Sequence, residues 1–382
     1  MIKLYYEDSY IHSFSAVVEK CAPHKDGYLI LLDRTAFFPA AGGQECDSGT
    51  LDGEKVLSVI LENDEVYHLV KNPIEAGRRV AGELDWEERF RKMQHHSAEH
   101  IVSGIAFSEF GLNNVGFHLD GEGVTIDFDA ELTENQLFEL ERLANAAVWK
   151  NLEISASYPA EEELEKINYR SKSDISGKIR LVTIDGVDVC ACCAPHIKRT
   201  GEIGIIKFTE VMRHRGGMRI KMICAGDALC DYSEKQKSVH GISTMLSVPQ
   251  NEVSEATLKL KNELETAVRE KNEAVKRLAL AQAQNIPENA GNFYMFSDIS
   301  EKNALRIIAN EGKKRTGGIF AVFSGDNETG YSYIVTAKSG ASDFVKALNA
   351  ELSGKGGGRD DMAEGRVLTS KDKIEAVLKR LL

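Results

Sequence analysis

A long apolar segment is missing from this 382-residue sequence. No run approaches the roughly 18 consecutive apolar residues that a membrane-spanning helix needs. A secretory signal is missing as well, because the first residues, MIKLYYEDSYIHSF, are too polar for one. We therefore predict a cytoplasmic protein with no membrane partner.

A disulfide framework is also lacking. The sequence has seven cysteines, an odd number, and three of them stand close together at Cys190, Cys192 and Cys193. In a chain without a secretory signal this pattern indicates reduced thiols, some of which bind metal.

Net positive charge, which nucleic-acid-binding proteins usually carry, is absent too. The formal net charge is −12, which argues against a general nucleic-acid binder. One segment departs from this balance, because it has seven basic residues and two acidic ones between Lys198 and Lys221. A solvated strand edge and a rim that contacts phosphate both fit this segment. The second interpretation predicts that the residues that contact phosphate are Lys198, Arg199, Arg213, Arg215 and Arg219.

Two short motifs have the ligand chemistry of a zinc site. His96 and His100 are four residues apart, and side chains at that spacing share one face of a helix. Cys192 and His196 repeat the spacing further along the chain. Three imidazole nitrogens and one thiolate are typical zinc ligands. The predicted cofactor is therefore Zn²⁺, one ion per chain, bound by these four residues.

The apolar pattern predicts a mixed α+β protein with four parts. Residues 1–85 alternate in short strands and predict a small N-terminal β-barrel with a Gly-rich motif. Residues 86–230 predict a mixed α+β domain that carries the four ligands. Residues 231–286 predict a helical coiled-coil arm, and residues 287–382 a small α/β domain.

Two helices are predicted in the second part. One is predicted from Trp86 to about Phe110, and it contains His96 and His100. The other is predicted to begin after Thr133, whose hydroxyl caps it, with Gln136 at the reciprocal position of a capping box.

The predicted arm has the spacing of a coiled coil. From Val253 to Ala281, apolar or small residues recur at alternating intervals of four and three, with Lys271 as the one interruption. An earlier helix, 231–248, with Pro249 at the turn indicates a helical hairpin. Packing of ordinary helices on a neighbouring domain explains the pattern nearly as well. A partner helix can be internal or belong to a second chain.

A glycine-rich segment, 354–362, lies in the last part. Lys355 and Arg359 flank its glycines, and backbone N–H groups of such segments can contact phosphate. The segment is not a P-loop, because no Gly-Lys pair is followed by Ser or Thr. From physics alone we predict a tight turn with positive φ.

Five segments in this order resemble the editing half of alanyl-tRNA synthetases and the free-standing alanyl-tRNA editing proteins of the long AlaX type. The last of them resembles the glycine-rich stretch of a DHHA1 domain. Together they extend over nearly the whole chain and are far more specific than any single motif. The segments are TAFFPAAGGQECDSGTL (35–51), HSAEHIVSG (96–104), GFHLDGEGVTIDFD (116–129), CCAPHIKRTGEIG (192–204) and GKGGGRDDMAEG (354–365).

This resemblance implies a zinc-dependent aminoacyl-tRNA hydrolase, which cleaves the ester of mischarged tRNA(Ala), chiefly the seryl ester and secondarily the glycyl ester. Binding alone separates such small side chains by only about 1–3 kcal/mol, so a second, hydrolytic site is needed. We find no aminoacylation domain and expect editing in trans. The implied partner is mischarged tRNA, with its acceptor end in the editing site and its elbow on the C-terminal domain, and the implied assembly is a homodimer.

The resemblance further implies that Thr35 and Gln44 lie beside the metal, where they select the amino acid and position water. A turn-stabilising role for both is equally compatible with their Gly-rich surroundings. Glu99 is a further candidate, as a general base, against the interpretation that it faces solvent. Whether zinc activates water or only positions the substrate is left open.

The second ligand motif departs from the usual CGGTH of the family. Here it reads Cys192-Cys193-Ala194-Pro195-His196, so the Thr is replaced and a second thiol is adjacent. Spacing from His196 selects Cys192, while Cys190 and Cys193 stay alternatives.

Other functions compete with the deacylase. The chain can be a tRNA-binding module in which zinc is only structural. It can also be a deacylase for Ser-tRNA(Thr), because the same ligands serve any tRNA ester. A phosphodiesterase of the DHH type is disfavoured, since the sequence has no Asp-His-His triplet.

Overall fold

The computed structural model describes residues 1–171 and 178–382 and divides the chain into two compact units, Met1–Ser238 and Val239–Leu382. Both units contain sheets and helices, so the predicted mixed α+β class is confirmed. The finer division of the chain into four parts stays a prediction.

The first unit begins with short strands. Their bounds, with one helical turn between them, are β1 (Ile2–Lys3), α1 (Leu4–Glu7), β2 (Ser13–His24), β3 (Gly27–Leu32), β4 (Arg34–Thr35), β5 (Gly49–Leu51), β6 (Glu54–Glu62), β7 (Glu65–Val70) and β8 (Arg79–Leu84). The strands pair in the order β2-β3-β7-β6-β5-β8, and β8 pairs back with β2, so that the hydrogen-bonded ladder closes into a ring.

The ring is filled by the alternate residues of its strands. Along β8 exposed and buried residues alternate without a break, and Val80 and Leu84 are among those that point inward. Successive side chains of a strand point to opposite faces, which is why an alternating sequence builds a one-sided core. The interior also takes in Phe37, from the segment that follows β4.

The rest of the first unit alternates helices and strands, and its last helix continues past Ser238 into the second unit. Its elements are α2 (Trp86–Phe110), β9 (Asn114–Asp120), β10 (Gly123–Phe128), α3 (Glu134–Trp149), β11 (Ile154–Ser157), α4 (Glu161–Leu164), β12 (Leu181–Ile184), β13 (Asp188–Ala191), a 3₁₀ turn (Thr200–Ile203), β14 (Ile206–His214), β15 (Gly217–Cys224) and α5 (Ala225–Leu246). Two antiparallel sheets result, with strand orders β14-β15-β10-β9 and β11-β12-β13.

Helix α2 has the bounds that the sequence predicted. Asp85 caps its start by accepting a hydrogen bond from the Glu88 N–H at 3.2 Å, and Gly111 ends it in the left-handed conformation. Residues from the middle of α2 are buried, because the helix lies in the core formed with both sheets. The predicted capping box of α3, between Thr133 and Gln136, is also confirmed.

The second unit contains a five-stranded sheet in the order β16-β17-β18-β20-β19, in which only the β16–β17 pair is parallel. Its elements are a 3₁₀ turn (Gln250–Glu252), α6 (Val253–Ala283), β16 (Phe293–Phe296), α7 (Lys302–Arg315), β17 (Phe320–Asp326), β18 (Gly330–Thr336), α8 (Ala341–Leu352), β19 (Lys355–Arg359), β20 (Met362–Val367) and α9 (Lys371–Leu381).

The glycine-rich segment forms strand β19, so the predicted tight turn is wrong at this place. The glycines serve close approach instead, because a Cβ at Gly356 would lie 2.5 Å from the carbonyl oxygen of Glu364 on β20. The turn itself follows at Asp360 and Asp361. A strand without side chains can pair tightly against its neighbour.

Helix α6 packs on α7 through a face that the predicted seam does not use. Ala279 and Ala283 are buried in this contact. The predicted seam residues Leu260, Leu264 and Leu278 are more than half exposed. Packing on the neighbouring domain therefore does not explain the seam, and its coiled-coil partner stays a prediction.

Among the helices of residues 1–171 and 178–382, none is both long enough and apolar enough to cross a membrane.

Candidate metal centre

The four predicted ligands come together in the first unit. One nitrogen from each of His96, His100 and His196, and the sulfur of Cys192, all lie within 4.8 Å of one another. The three imidazoles are buried, and Cys192 is half-buried. Helix α2 supplies two ligands, and the loop after β13 supplies the other two.

Each imidazole is oriented by an acceptor at its Nδ1 atom. His96 donates to the amide oxygen of Gln44 at 2.7 Å, and His100 donates to a carboxylate oxygen of Asp188 at 3.0 Å. The ring of His196 pairs with the hydroxyl of Ser97 at 2.9 Å. This arrangement leaves the three Nε2 atoms for the centre. Metal-ligating histidines are typically held in this way by a partner of the other ring nitrogen.

The distances within the cluster fit a tetrahedral zinc ion. The sulfur of Cys192 lies 3.5 Å from Nε2 of His96 and 3.4 Å from Nε2 of His196. Bonds of about 2.0–2.3 Å to a tetrahedral ion separate neighbouring ligand atoms by about 3.3–3.8 Å. The donor set and its spacing therefore suit Zn²⁺.

Electrostatics keep Cys192 in the form that a metal requires. Burial alone would raise the pKa of its thiol, but electrostatic interactions with the imidazoles of His96 and His196 and hydrogen bonds from His100 and His196 hold this pKa well below its usual range. The thiolate is the metal-binding form of cysteine. Burial also lowers the pKa of His196 to about 3, which favours the neutral imidazole that metals bind.

The neighbouring thiols have different surroundings. Burial raises the pKa of both Cys190 and Cys193, so they favour the neutral thiol. The sulfur of Cys190 forms a second cluster with His100 and Asp188. Cys192 is the cysteine whose sulfur lies among the three histidines.

Asp188 connects the centre to a buried ion pair. It accepts hydrogen bonds from Arg170 at 2.7 and 2.8 Å as well as from His100. Burial would raise the pKa of this carboxyl group, but the bonds from His100 and Arg170 keep it below its usual range. Helix α2 comes close enough because it has Gly104 here, where a Cβ would lie 2.5 Å from the carbonyl oxygen of Val187.

Gln44 is brought to the centre by a tight turn at Ala41–Gln44. Gly42 and Gly43 both have positive φ in this turn, which explains the pair of glycines in the motif. Beyond its bond to His96, the side chain has a buried Nε2 with no hydrogen-bond partner among the described residues. A buried donor of this kind is available to a ligand.

Thr35 makes its hydrogen bonds away from the four ligands. Its hydroxyl lies 2.8 Å from Nε2 of His68 and accepts from the Phe37 N–H at 3.1 Å. His68 donates through Nδ1 to the carbonyl of Ile30, so its Nε2 accepts from Thr35. These contacts join β3, β4 and β7, and the role of Thr35 beside the metal stays a prediction.

Glu99 is fully buried, so the interpretation that it faces solvent is wrong. Its Oε1 accepts hydrogen bonds from Ser103 and Asn114, both at 2.6 Å. Its Oε2 lies 4.0 Å from Nε2 of His100. The carboxylate is thus beside the centre.

The basic segment 198–221 is largely paired with carboxylates. Most of these partners lie outside the segment, so its local excess of charge is smaller in the folded chain than in the sequence. Exposed pairs of this kind contribute little to stability and can be exchanged for other anions. The pairs are Lys198–Asp8, Lys207–Glu141, Arg213–Glu131, Arg219–Asp127 and Lys221–Glu210.

The remaining predicted contacts with RNA are dispersed. Arg199 donates to the carbonyl of Asn151, and Arg215 is in the β14–β15 turn with positive φ. Lys355 and Arg359 are exposed at the two ends of β19 in the second unit.

A cavity of about 800 Å³ opens beside the centre, and His96, His100 and Cys192 form part of its wall. The cavity lining also includes residues that the sequence did not single out, namely Tyr6, Tyr158 and Arg180. They are distant in sequence from the ligand motifs, and no local pattern marks them. Asp188 was also missed, although it stands four residues before Cys192 in the same segment.

Comparison with known proteins gives two family matches. Residues 179–221 match the family described as "Threonyl and Alanyl tRNA synthetase second additional domain". Residues 289–382 match the DHHA1 domain. The first match contains Cys192 and His196, and the second extends over most of the second unit.

Curated proteins match over almost the whole chain. The "Alanyl-tRNA editing protein Aarsd1" of Danio rerio is 25% identical over 97% of this chain and 96% of its own length. The "Alanyl-tRNA editing protein AlaX-L" of Pyrococcus horikoshii is 27% identical over 97% of this chain and 96% of its own length. The resemblance to the AlaX type is confirmed.

Alanine–tRNA ligases match the chain over a smaller share of their own length. That of Pyrococcus abyssi is 29% identical over 99% of this chain but only 43% of the ligase. The chain thus corresponds to less than half of such a ligase, whereas it corresponds to nearly the full length of the two editing proteins.

Proposed function

We propose that this protein edits mischarged tRNA(Ala) in trans, as an aminoacyl-tRNA deacylase. The observation that carries the proposal is the buried cluster of His96, His100, Cys192 and His196 beside an open cavity of about 800 Å³. The relatives that match over their full length are named alanyl-tRNA editing proteins, which supports the same tRNA.

Seryl-tRNA(Ala) is the proposed main substrate, with glycyl-tRNA(Ala) second. A site that hydrogen-bonds a substrate hydroxyl rejects an analogue without it by about 10⁴-fold, because its buried polar groups are then unpaired. The buried Nε2 of Gln44 is such a group. We assign Gln44 to selection of the serine side chain, and also to the orientation of His96 through Oε1.

The reaction is attack of water on the ester between the amino acid and the terminal ribose. Zinc held by the three histidines and Cys192 would orient the substrate, and with a fifth coordination position it would also act as a Lewis acid on the ester. The residues of the chain hold this arrangement, since Gln44 and Asp188 fix the rings of His96 and His100. Glu99, buried beside His100, is the proposed acceptor of the proton from water, which passes to the ribose oxygen as the ester bond breaks.

The tRNA is proposed to bind through both units. Its acceptor end enters the cavity, and its elbow contacts the DHHA1 match at 289–382. The basic residues predicted to contact phosphate retain this role in the proposal. They are Lys198, Arg199, Arg213, Arg215, Arg219, Lys355 and Arg359. The coiled-coil seam of α6 is the proposed contact in a homodimer.

The proposal is tested by hydrolysis of Ser-, Gly- and Ala-tRNA(Ala) and of Ser-tRNA(Thr), with zinc measured in the same preparations. We expect the fastest hydrolysis for Ser-tRNA(Ala), almost none for Ala-tRNA(Ala), and loss of both zinc and activity in His100→Ala. Equal rates for the wild type and His100→Ala would sink the proposal. Fastest turnover of Ser-tRNA(Thr) would assign the activity to another tRNA.

A purely structural zinc is the second candidate. Four protein ligands normally close a zinc site, and this cluster offers four. The same preparations distinguish the two functions. A protein that binds zinc and tRNA but hydrolyses none of the esters would be a binding module.

A further inference from the structure

A row of aromatic rings leads from the core of the first unit to the cavity. The rings of Phe38 and Tyr5 are buried and meet edge to face, with centroids 5.4 Å apart. The ring centroids of Tyr5 and Tyr6 are 4.5 Å apart, and those of Tyr6 and Tyr158 are 6.3 Å apart. The last ring, Tyr158, is 49% exposed at the cavity. The buried rings of Phe38 and Tyr5 thus support a row of rings whose last member, Tyr158, is accessible to a ligand.

Arg180 fixes this row to the loop that supplies metal ligands. Its guanidinium lies over the ring of Tyr6, 5.6 Å from the centroid. Through Nη1 it donates to the carbonyls of Cys192 at 2.9 Å and of Ala194 at 3.0 Å. The exposed ring of Tyr158 is therefore tied to the metal ligands through Tyr6 and Arg180.

The charges of the same wall favour an anionic ligand. Lys3, Lys178 and Arg180 line the cavity together with Asp64, which pairs with Lys3. The Nε of Arg180 is buried and has no hydrogen-bond partner among the described residues. Aromatic rings in a cationic groove are typical of sites for single-stranded nucleic acid, where bases stack on the rings and cations contact the backbone.

We propose that Tyr158 is the stacking platform for an unpaired nucleobase at the 3′ end of the RNA substrate, and that Arg180 contacts the adjoining phosphate. The inference deepens the proposed function and rests on it, because the ester must reach the metal ligands that form the same cavity wall. The platform recognises the presence of a base rather than its identity, since every base has a face that can stack.

Binding of unacylated RNA tests this proposal without any hydrolysis. The probe is a short, 5′-labelled single-stranded RNA ending in CCA, and its partner is the same RNA with an abasic last nucleotide. For the wild type we expect loss of the base to weaken binding about tenfold, as for one base stacked on one ring. Tyr158→Ala should bind the intact RNA about tenfold more weakly than the wild type and should not distinguish the two RNAs.

Two variants control for other effects. Tyr158→Phe keeps the ring and should bind both RNAs as the wild type does. Phe138→Ala removes a ring from α3 that is 70% exposed and outside the cavity lining, and it should change nothing. Circular dichroism and zinc content of each variant establish that the half-exposed ring was removed without unfolding.

The proposal is overturned if Tyr158→Ala still distinguishes the two RNAs, or if Tyr158→Phe binds as weakly as Tyr158→Ala. It is also overturned if the wild type binds the intact and the abasic RNA equally well. Hydrolysis of Ser-tRNA(Ala) by the same wild-type preparation separates this failure from that of the proposed function. If the wild type hydrolyses Ser-tRNA(Ala) but binds both RNAs equally, the deacylase proposal stands and the stacking platform is rejected. If the wild type distinguishes the two RNAs but hydrolyses nothing, the platform stands and the deacylase proposal is rejected.

Discussion

Three different acceptors hold the three histidines of the metal centre. Gln44 offers an amide oxygen, Ser97 a hydroxyl and Asp188 a carboxylate. A carboxylate partner raises the basicity of the imidazole as well as fixing its orientation. His100 is the one of these three histidines with a carboxylate partner. Its affinity for the metal should therefore depend most on that partner.

We predict that Asp188→Asn weakens zinc binding about 10–100-fold, the usual effect of losing such a partner. Asparagine fills the same volume but takes the charge away from both His100 and Arg170. The measurement is competition for zinc against a chromophoric chelator.

Asp185→Asn is the matched control, because Asp185 is exposed near the turn of the same β12–β13 hairpin. It should bind zinc as the wild type does. An Asp188→Asn protein with the affinity of this control would show that the carboxylate does not tune the site.

Residue types and spacing predicted the four ligands, but not what holds them. His96 and His100 could be paired because helical spacing is a local property. The partners Gln44 and Asp188 lie on other elements, and nothing in their own neighbourhoods marks them as acceptors for an imidazole. The four ligands could thus be predicted from the sequence, whereas the hydrogen bonds that orient their rings are seen only in the folded structure.

Among the elements, the strands β3, β4 and β7 are joined by one buried histidine. His68 donates to Ile30 on β3 and accepts from Thr35 on β4. Burial lowers its pKa from 6.5 to about 4, because the charged ring would lose its hydration. The neutral ring is the form that can accept from Thr35.

We predict that acid weakens the fold through this residue. Below about pH 6.5 the unfolded chain protonates His68, while the folded chain resists protonation down to about pH 4, so the free energy of unfolding falls as pH falls through this window. At about 1.4 kcal/mol for each pKa unit, the loss is about 3 kcal/mol. Urea denaturation across the window measures it.

His68→Asn keeps a donor for Ile30 but cannot be protonated, so its free energy of unfolding should depend less on pH than that of the wild type. His12→Asn, at an exposed position, should retain the wild-type dependence. The assignment fails if both variants have the wild-type slope.

Helices with capping residues at their ends were predicted well, whereas the glycine-rich strand β19 was not. The bounds of α2 and the cap of α3 follow from Asp85, Gly111 and Thr133, which act within one helical turn. The run of glycines before Arg359 permits both a turn and a tightly paired strand. Only pairing with β20 decides between these, and that partner is not a local property of the segment.

The metal centre belongs to one of the two compact units of the chain. All four ligands lie within Met1–Ser238, and Val239–Leu382 has hydrophobic clusters of its own. Zinc binds the folded arrangement of its ligands and therefore stabilises the unit that contains them.

We predict that removal of zinc by a chelator destabilises the first unit and leaves the second unchanged. Hydrogen exchange followed by mass spectrometry measures both units in one sample. Amides of α2 and β13 should exchange faster without zinc, while those of β17 and β18 should keep their protection. Faster exchange throughout the chain would mean that the two units unfold together.

Strand β19 forms an exposed edge of its sheet. It ends the five-stranded sheet of the described chain, and its three central residues are glycines, which provide no side chains to shield the peptide groups. Such an edge can recruit a strand from another molecule and start aggregation. Lys355 and Arg359 stand at its two ends, so two molecules meeting edge to edge would bring like charges together. The same cations that are proposed to attract RNA thus also oppose pairing of two copies through this edge.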